Sequence, residues 1–211
     1  MRNTKIDIIN LPHRDDRRQE SIESMRKIKD IVITTDNFFE ACSMPDNGML
    51  GCAISHFSIV AEFIKQPKYE YQIVFEDDIE FRNEFELNSI FNVIDEFAPT
   101  FDVFLFSHNT AIFTETIHLN YQKVINAQTA SGYLITKKFA PKFLECFARA
   151  INFMSKFSNP ESRSLVNGLF AHDQLWKQLQ LDNFFITTNP AYGFQRASYS
   201  DIEKKEVNYG V

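Results

Sequence analysis

Between Tyr71 and Phe81 the chain reads Y-Q-I-V-F-E-D-D-I-E-F, an apolar run that ends in consecutive carboxylates. Ile73, Val74 and Phe75 suit a strand buried on both faces, which puts Glu76, Asp77 and Asp78 where the strand leaves its sheet. Side chains alternate along a strand, so an extended segment would turn Glu76 and Asp78 to one side and Asp77 to the other. Hard oxygen donors clustered beyond the carboxyl end of a strand suit magnesium or manganese carrying a diphosphate, with Asp78 and Glu76 as the metal ligands. The ordinary alternative is a solvated acidic loop or the cap of the next helix.

Other residues could join that chemistry. Asn10-Leu11-Pro12-His13-Arg14-Asp15-Asp16-Arg17-Arg18 follows an apolar run, and the guanidinium forks of Arg14 and Arg17 match phosphate oxygens. Against this, Asp15 and Asp16 could neutralise those arginines in a solvated helical turn. Neither G-x-G-x-x-G nor G-x-x-x-x-G-K-[ST] occurs, so no glycine-rich cradle holds phosphate. Ser55 and His56 fall early on a helix and could bond a ligand; a buried structural histidine is the competing reading. His172 and Asp173 fall in a late helix, where Asp173 could serve as a general base or simply pair with Lys177 at i, i+4.

The elements that must position these residues follow from periodicity. Lys5 to Leu11 reads as a strand, Arg14 to Lys29 as a helix, Ile31 to Thr34 as a second strand and Asp36 to Asn47 as loop. Beyond Gly48–Gly51 the positions of Ala53, Phe57, Val60, Ala61 and Ile64 predict a helix that Pro67 ends, followed by the acidic strand. Such a β-α-β-α-β order predicts a parallel sheet covered by helices. Later come a helix over Glu84–Phe97, a strand over Phe101–Phe106 and one or two strands over Val124–Thr136. A helix over Ala140–Phe157, a loop at Asn159–Ser162, a helix over Leu165–Leu181 and a strand over Phe184–Thr187 complete the regular part. From Asn189 the tail reads as irregular. No repeat or linker invites a cut, so residues 1–211 read as one domain.

The 211 residues are 44% hydrophobic with a net charge of -6 and no basic run, which argues against a nucleic-acid binder that neutralises phosphate. Cys42, Cys52 and Cys146 lie far apart with no C-x-x-C, so spacing indicates neither a zinc site nor a disulfide framework. The first residues are too short an apolar segment for a signal peptide, and no later stretch reads as a membrane span. On these grounds the chain reads as reduced, soluble and cytoplasmic.

Taken together, I-I-N-L-P-H-R-D-D-R-R (Ile8–Arg18), G-C-A-I-S-H (Gly51–His56), I-V-F-E-D-D-I-E-F (Ile73–Phe81), G-Y-L-I-T (Gly132–Thr136) and Q-R-A-S-Y-S-D-I (Gln195–Ile202) resemble glycosyltransferase family 25, in that family's order. This group includes bacterial lipooligosaccharide galactosyltransferases and collagen galactosyltransferases. The resemblance implies a GT-A-type α/β fold with a mostly parallel central sheet, in which E-D-D stands for the D-x-D motif. It implies Asp78 as direct metal ligand and Glu76 near the ribose or metal. Asn10, Leu11, Arg14, Arg17 and Asp77 fall on the nucleotide side, Ser55 and His56 beside the donor pocket, and Gly132 and Tyr133 between donor and acceptor. The implied reaction is Mn2+- or Mg2+-dependent transfer of galactose or another hexose from a UDP-sugar to a hydroxyl of a glycan or protein, with inversion. One carboxylate must then act as base, Asp173 first and Asp201 second. A nucleotidyltransferase should carry a glycine-rich basic loop after its first strand, and Asn10 to Arg18 has no glycine. A catalytically silent sugar-nucleotide or carbohydrate binder on the same fold is the alternative.

Overall fold

A computed structural model describes residues 2–156, 160–200 and 205–208. The apolar run near the start forms β1 (Thr4–Asn10), which pairs in parallel with β2 (Phe38–Glu40) on one side and β3 (Tyr71–Glu76) on the other. β4 (Ile79–Phe81) leaves the main sheet, which β5 (Val103–Leu105), β6 (Asn109–His118), β7 (Tyr121–Gln128), β8 (Gly132–Thr136) and β9 (Phe185–Thr188) complete. The strand order is β2-β1-β3-β8-β5-β9-β7-β6. β5 and β9 are parallel; β8 runs antiparallel between β3 and β5, and β7 antiparallel to β9 and β6. The α/β class is as expected, and the sheet is mixed, its parallel pairings confined to β2-β1-β3 and β5-β9.

Alternation along the strands divides the core. Val74, Val103, Leu105, Tyr133, Ile135 and Phe185 face one way. They meet Ala53, Val60 and Phe63 of α2 (Gly48–Lys65, after α1, Asp15–Met25) and, beyond α3 (Leu87–Phe97), Phe143 and Phe147 of α4 (Ala140–Ser155). Ile73, Phe75, Phe104, Leu134 and Ile186 face the other way, onto Met25 of α1 and Ile90, Phe91 and Ile94 of α3. Each such fully buried side chain contributes about 1.5–3 kcal/mol of transfer free energy. By length and composition α2 could span a membrane, contrary to the expectation that no stretch does. Here its apolar positions are spent on the sheet and α4, and it carries the buried polar pair Ser55 and His56.

Several expectations need correction. Ile31 to Thr34 is not a strand: Val32 is 84% exposed, and the edge beside β1 is taken by Phe38–Glu40 from the supposed loop. Pro160 to Ser162 starts α5 (Pro160–Phe170) instead of closing a loop. The single helix over Leu165–Leu181 is three pieces, α5, α6 (His172–Leu175) and α7 (Lys177–Asp182): Ala171 breaks the run with ψ 148°, and the buried Trp176 between α6 and α7 donates from Nε1 to the Ala127 carbonyl at 3.0 Å. The tail is partly regular: β10 (Gly193–Gln195) pairs with β4, and β11 (Ser198–Ser200) with β12 (Lys205–Val207).

Candidate active site

β3 ends at Glu76, two residues beyond Val74 and therefore on the face covered by α2. Glu76 Oε1 lies 3.0 Å from His56 Nε2 and accepts from the Cys52 thiol at 3.4 Å. The chain then turns, and the alternation expected for an extended Glu76-Asp77-Asp78 stops there. Asp77 and Asp78 both approach the buried Arg17 guanidinium, at 2.8 and 3.7 Å from Nη1. Asn10 Nδ2 donates to the other Asp77 oxygen at 2.8 Å, and Arg17 Nη2 donates to Ser198 Oγ and the Tyr199 carbonyl, both at 2.8 Å. Asp78 Oδ2 accepts from Gln195 Nε2 at 3.1 Å, while its Oδ1 is buried with no hydrogen-bond partner. Burial above all, then the neighbouring Glu76 and Asp77 carboxylates, raises the Asp78 pKa against the lowering effect of Arg17. Burial likewise raises Glu76.

All three acids line a cavity of about 360 Å³, within the usual range for a small-molecule cleft, together with Leu11, His13, Arg17 and Ser55. The 41–45 segment, which α2 holds in place, also lines it. Ser55 Oγ accepts from the Cys42 N–H at 2.8 Å and donates to the Gly51 carbonyl at 2.9 Å. A Cβ at Gly51 would sit 2.5 Å from the Cys42 carbonyl oxygen, so only glycine allows that approach.

A second cavity, of about 210 Å³, shares Cys52, Glu76 and Gln195 with the first and contains Asp173. Asp173 Oδ2 accepts from the Thr129 N–H at 3.1 Å, and Thr129 holds a left-handed φ of 79° to present it. Lys177 does not pair with Asp173: its Nζ donates to Gln128 and Gln174, both at 2.8 Å. A strained backbone donor beside a cavity is a feature of functional sites.

The remaining candidates fall in different places. Arg14 pairs with Asp16 through Nε and Nη2, and Asn10 acts behind the cavity by holding Asp77. His56 is fully buried, its Nδ1 2.9 Å from Tyr133 Oη, and burial lowers its pKa to about 3. Gly132 is a packing position, since a Cβ there would lie 2.4 Å from Ile79 Cδ1. Asp201 lies outside the described residues. Sequence reading missed Gln195 and Cys52 as site residues. In the sequence Gln195 is only the first residue of Q-R-A-S-Y-S-D-I, and Cys52 has no neighbouring cysteine to signal it.

The model of glycosyltransferase family 25, described as an LPS biosynthesis protein, matches residues 46–157, more than half of the chain. The chain belongs to glycosyltransferase family 25. The match takes in α2, the E-D-D turn and β8 of this family 25 domain, while Arg17, Asp173 and Gln195 lie outside it. A protein of Acanthamoeba polyphaga mimivirus named "Putative glycosyltransferase R655" is 32% identical, over 42% of this chain and 32% of its own length. The aligned part is thus about a third of that relative. Among solved structures, A197 from STIV is similar in fold, with TM-score 0.52 and 11% identity over 98% of this chain and 93% of that one.

Proposed function

We propose that this family 25 domain transfers a hexose from a nucleotide diphosphate, a UDP-sugar, to a hydroxyl of a glycan or protein. The donor lies in the larger cavity and the acceptor in the smaller. One observation carries this reading: two cavities meet at Glu76 and Gln195, with an unpartnered Asp78 oxygen on one side and Asp173 on the other. The buried Asp78 Oδ1 suits a hard divalent cation, Mn2+ or Mg2+, with Asp78 as its direct ligand and Glu76 beside it. When bound, that ion supplies neutralising charge to the diphosphate.

The chain's own residues then have separable tasks. Arg17, anchored by Asp77, Ser198 and Tyr199, is a positioned cation in the donor wall. Leu11, His13 and the 41–45 segment enclose the nucleotide. Asp173 accepts the proton of the acceptor hydroxyl. The acceptor oxygen bonds to the anomeric carbon as that carbon's bond to the diphosphate oxygen breaks, and entry from the second cavity inverts configuration.

Calorimetric titration with UDP and GDP, in manganese and after chelation, tests the donor side. The expected result is metal-dependent binding of one nucleotide that Asp78→Ala abolishes. Equal binding in chelator by both proteins would reject the metal-assisted donor site.

A further inference from the structure

We infer that Cys52, His56, Glu76 and His172 form a site for a zinc-class transition-metal ion in the wall between the two cavities. One donor atom from each residue lies within 4.8 Å of every other. Four donors around a tetrahedral zinc stand about 3.5 Å apart, given bonds of about 2.0–2.3 Å. Two of the spacings are close to this value: Glu76 Oε1 is 3.0 Å from His56 Nε2 and 3.4 Å from Cys52 Sγ.

Three elements supply the set. Cys52 and His56 are one turn apart on α2, Glu76 ends β3, and His172 begins α6. A second observation points to a missing ligand: His172, only 6% exposed, has a buried Nε2 with no hydrogen-bond partner. The two imidazoles lie with centroids 4.5 Å apart. A metal-bound imidazole usually donates its other N–H to a fixed partner, and His56 Nδ1 has one in Tyr133 Oη at 2.9 Å. The ion binds neutral imidazoles and the Cys52 thiolate, so its entry releases the thiol proton to solvent. Cys52 and Glu76 line both cavities and leave an entry path.

Thiolate and imidazole select zinc or a neighbouring transition metal, whereas the carboxylate of Asp78 suits manganese or magnesium, so the two sites differ in metal preference. An ion here fastens α2, β3 and α6 together and holds the segment that carries Asp173.

Cobalt provides the test, and it needs no sugar nucleotide. Tag-free protein comprising residues 1–211, stripped with chelator, is titrated with Co2+. The expected result is a thiolate-to-cobalt charge-transfer band with intense visible bands, saturating at one equivalent and bleached by Zn2+. The charge-transfer band should vanish in Cys52→Ser and persist in Asp78→Asn, and His172→Gln should bind zinc at least tenfold more weakly. Absence of the band in wild-type protein overturns the inference whatever the variants do. So does a band that survives Cys52→Ser, which would then come from Cys42 or Cys146.

Discussion

Gln195 Nε2 donates to Asp78 Oδ2 at 3.1 Å, and Gln195 Oε1 accepts from Thr129 Oγ1 at 3.0 Å. Since the Thr129 N–H donates to Asp173, one hydrogen-bonded line joins the carboxylate proposed for the metal to the carboxylate proposed as base. Both ends of the Gln195 amide are used, which sets its orientation.

Gln195→Ala removes both bonds and leaves the two carboxylates individually intact. Partners of this kind are worth about 10–100-fold in metal affinity or activity. Manganese titration and steady-state kinetics should show a loss of that size in each, and unchanged values would remove Gln195 from the site.

Asp173→Asn keeps an oxygen for the Thr129 N–H but cannot take a proton. Transfer to an acceptor should fall by about 10²–10⁴-fold, the usual contribution of a general base. Nucleotide affinity, read by calorimetry, should stay at the wild-type value, because Asp173 lies in the second cavity.

Arg17→Ala leaves Asp77 buried without its cation. Loss of one partner from a buried ion pair costs about 3–5 kcal/mol, so the urea midpoint should drop sharply. Arg17→Lys should not restore it, because an ammonium cannot reach Asp77, Ser198 and Tyr199 with one planar fork. Full recovery by lysine would show that charge alone matters there.

What the sequence made legible follows from contiguity. Ile73-Val74-Phe75 and the acids after them are local, as is the helix between Gly48 and Pro67, and both stand where expected. The edge strand β6 was hidden because apolar residues fall on both its faces: Ile112 is 51% exposed while Phe113 packs on the core. Ala171 carries no sequence mark of the break it makes. The Cys52, His56, Glu76 and His172 cluster spans three elements that are distant along the chain, so no spacing rule could find it. Arg14 and Arg17 looked alike in sequence. Burial of Arg17 against Asp77 separates them, while Arg14 turns to Asp16.

The raised pKa of Asp78 has a pH signature in chelator-treated protein. At about pH 5–6 the group keeps its proton when folded and loses it when unfolded, so its contribution to stability declines as pH rises through that window. Asp78→Asn removes this decline. Its unfolding free energy should climb relative to wild type by up to about 1.4 kcal/mol per pH unit across the window. Parallel pH profiles from urea titrations would contradict the shift. His56 and His172, each lowered to about 3 by burial, have the opposite sign: their contribution is lost as pH falls below about 6.5.

Glycosyl transfer from the Asp78 cavity is tested most directly by nucleotide release from a panel of UDP-sugars and GDP-sugars, with manganese and after chelation, comparing wild type with Asp78→Ala. Slow hydrolysis to water reports the donor before any acceptor is known. The account predicts metal-dependent release from one UDP-hexose, abolished by Asp78→Ala. Absence of release from every donor would contradict it and favour a catalytically silent binder on the same fold.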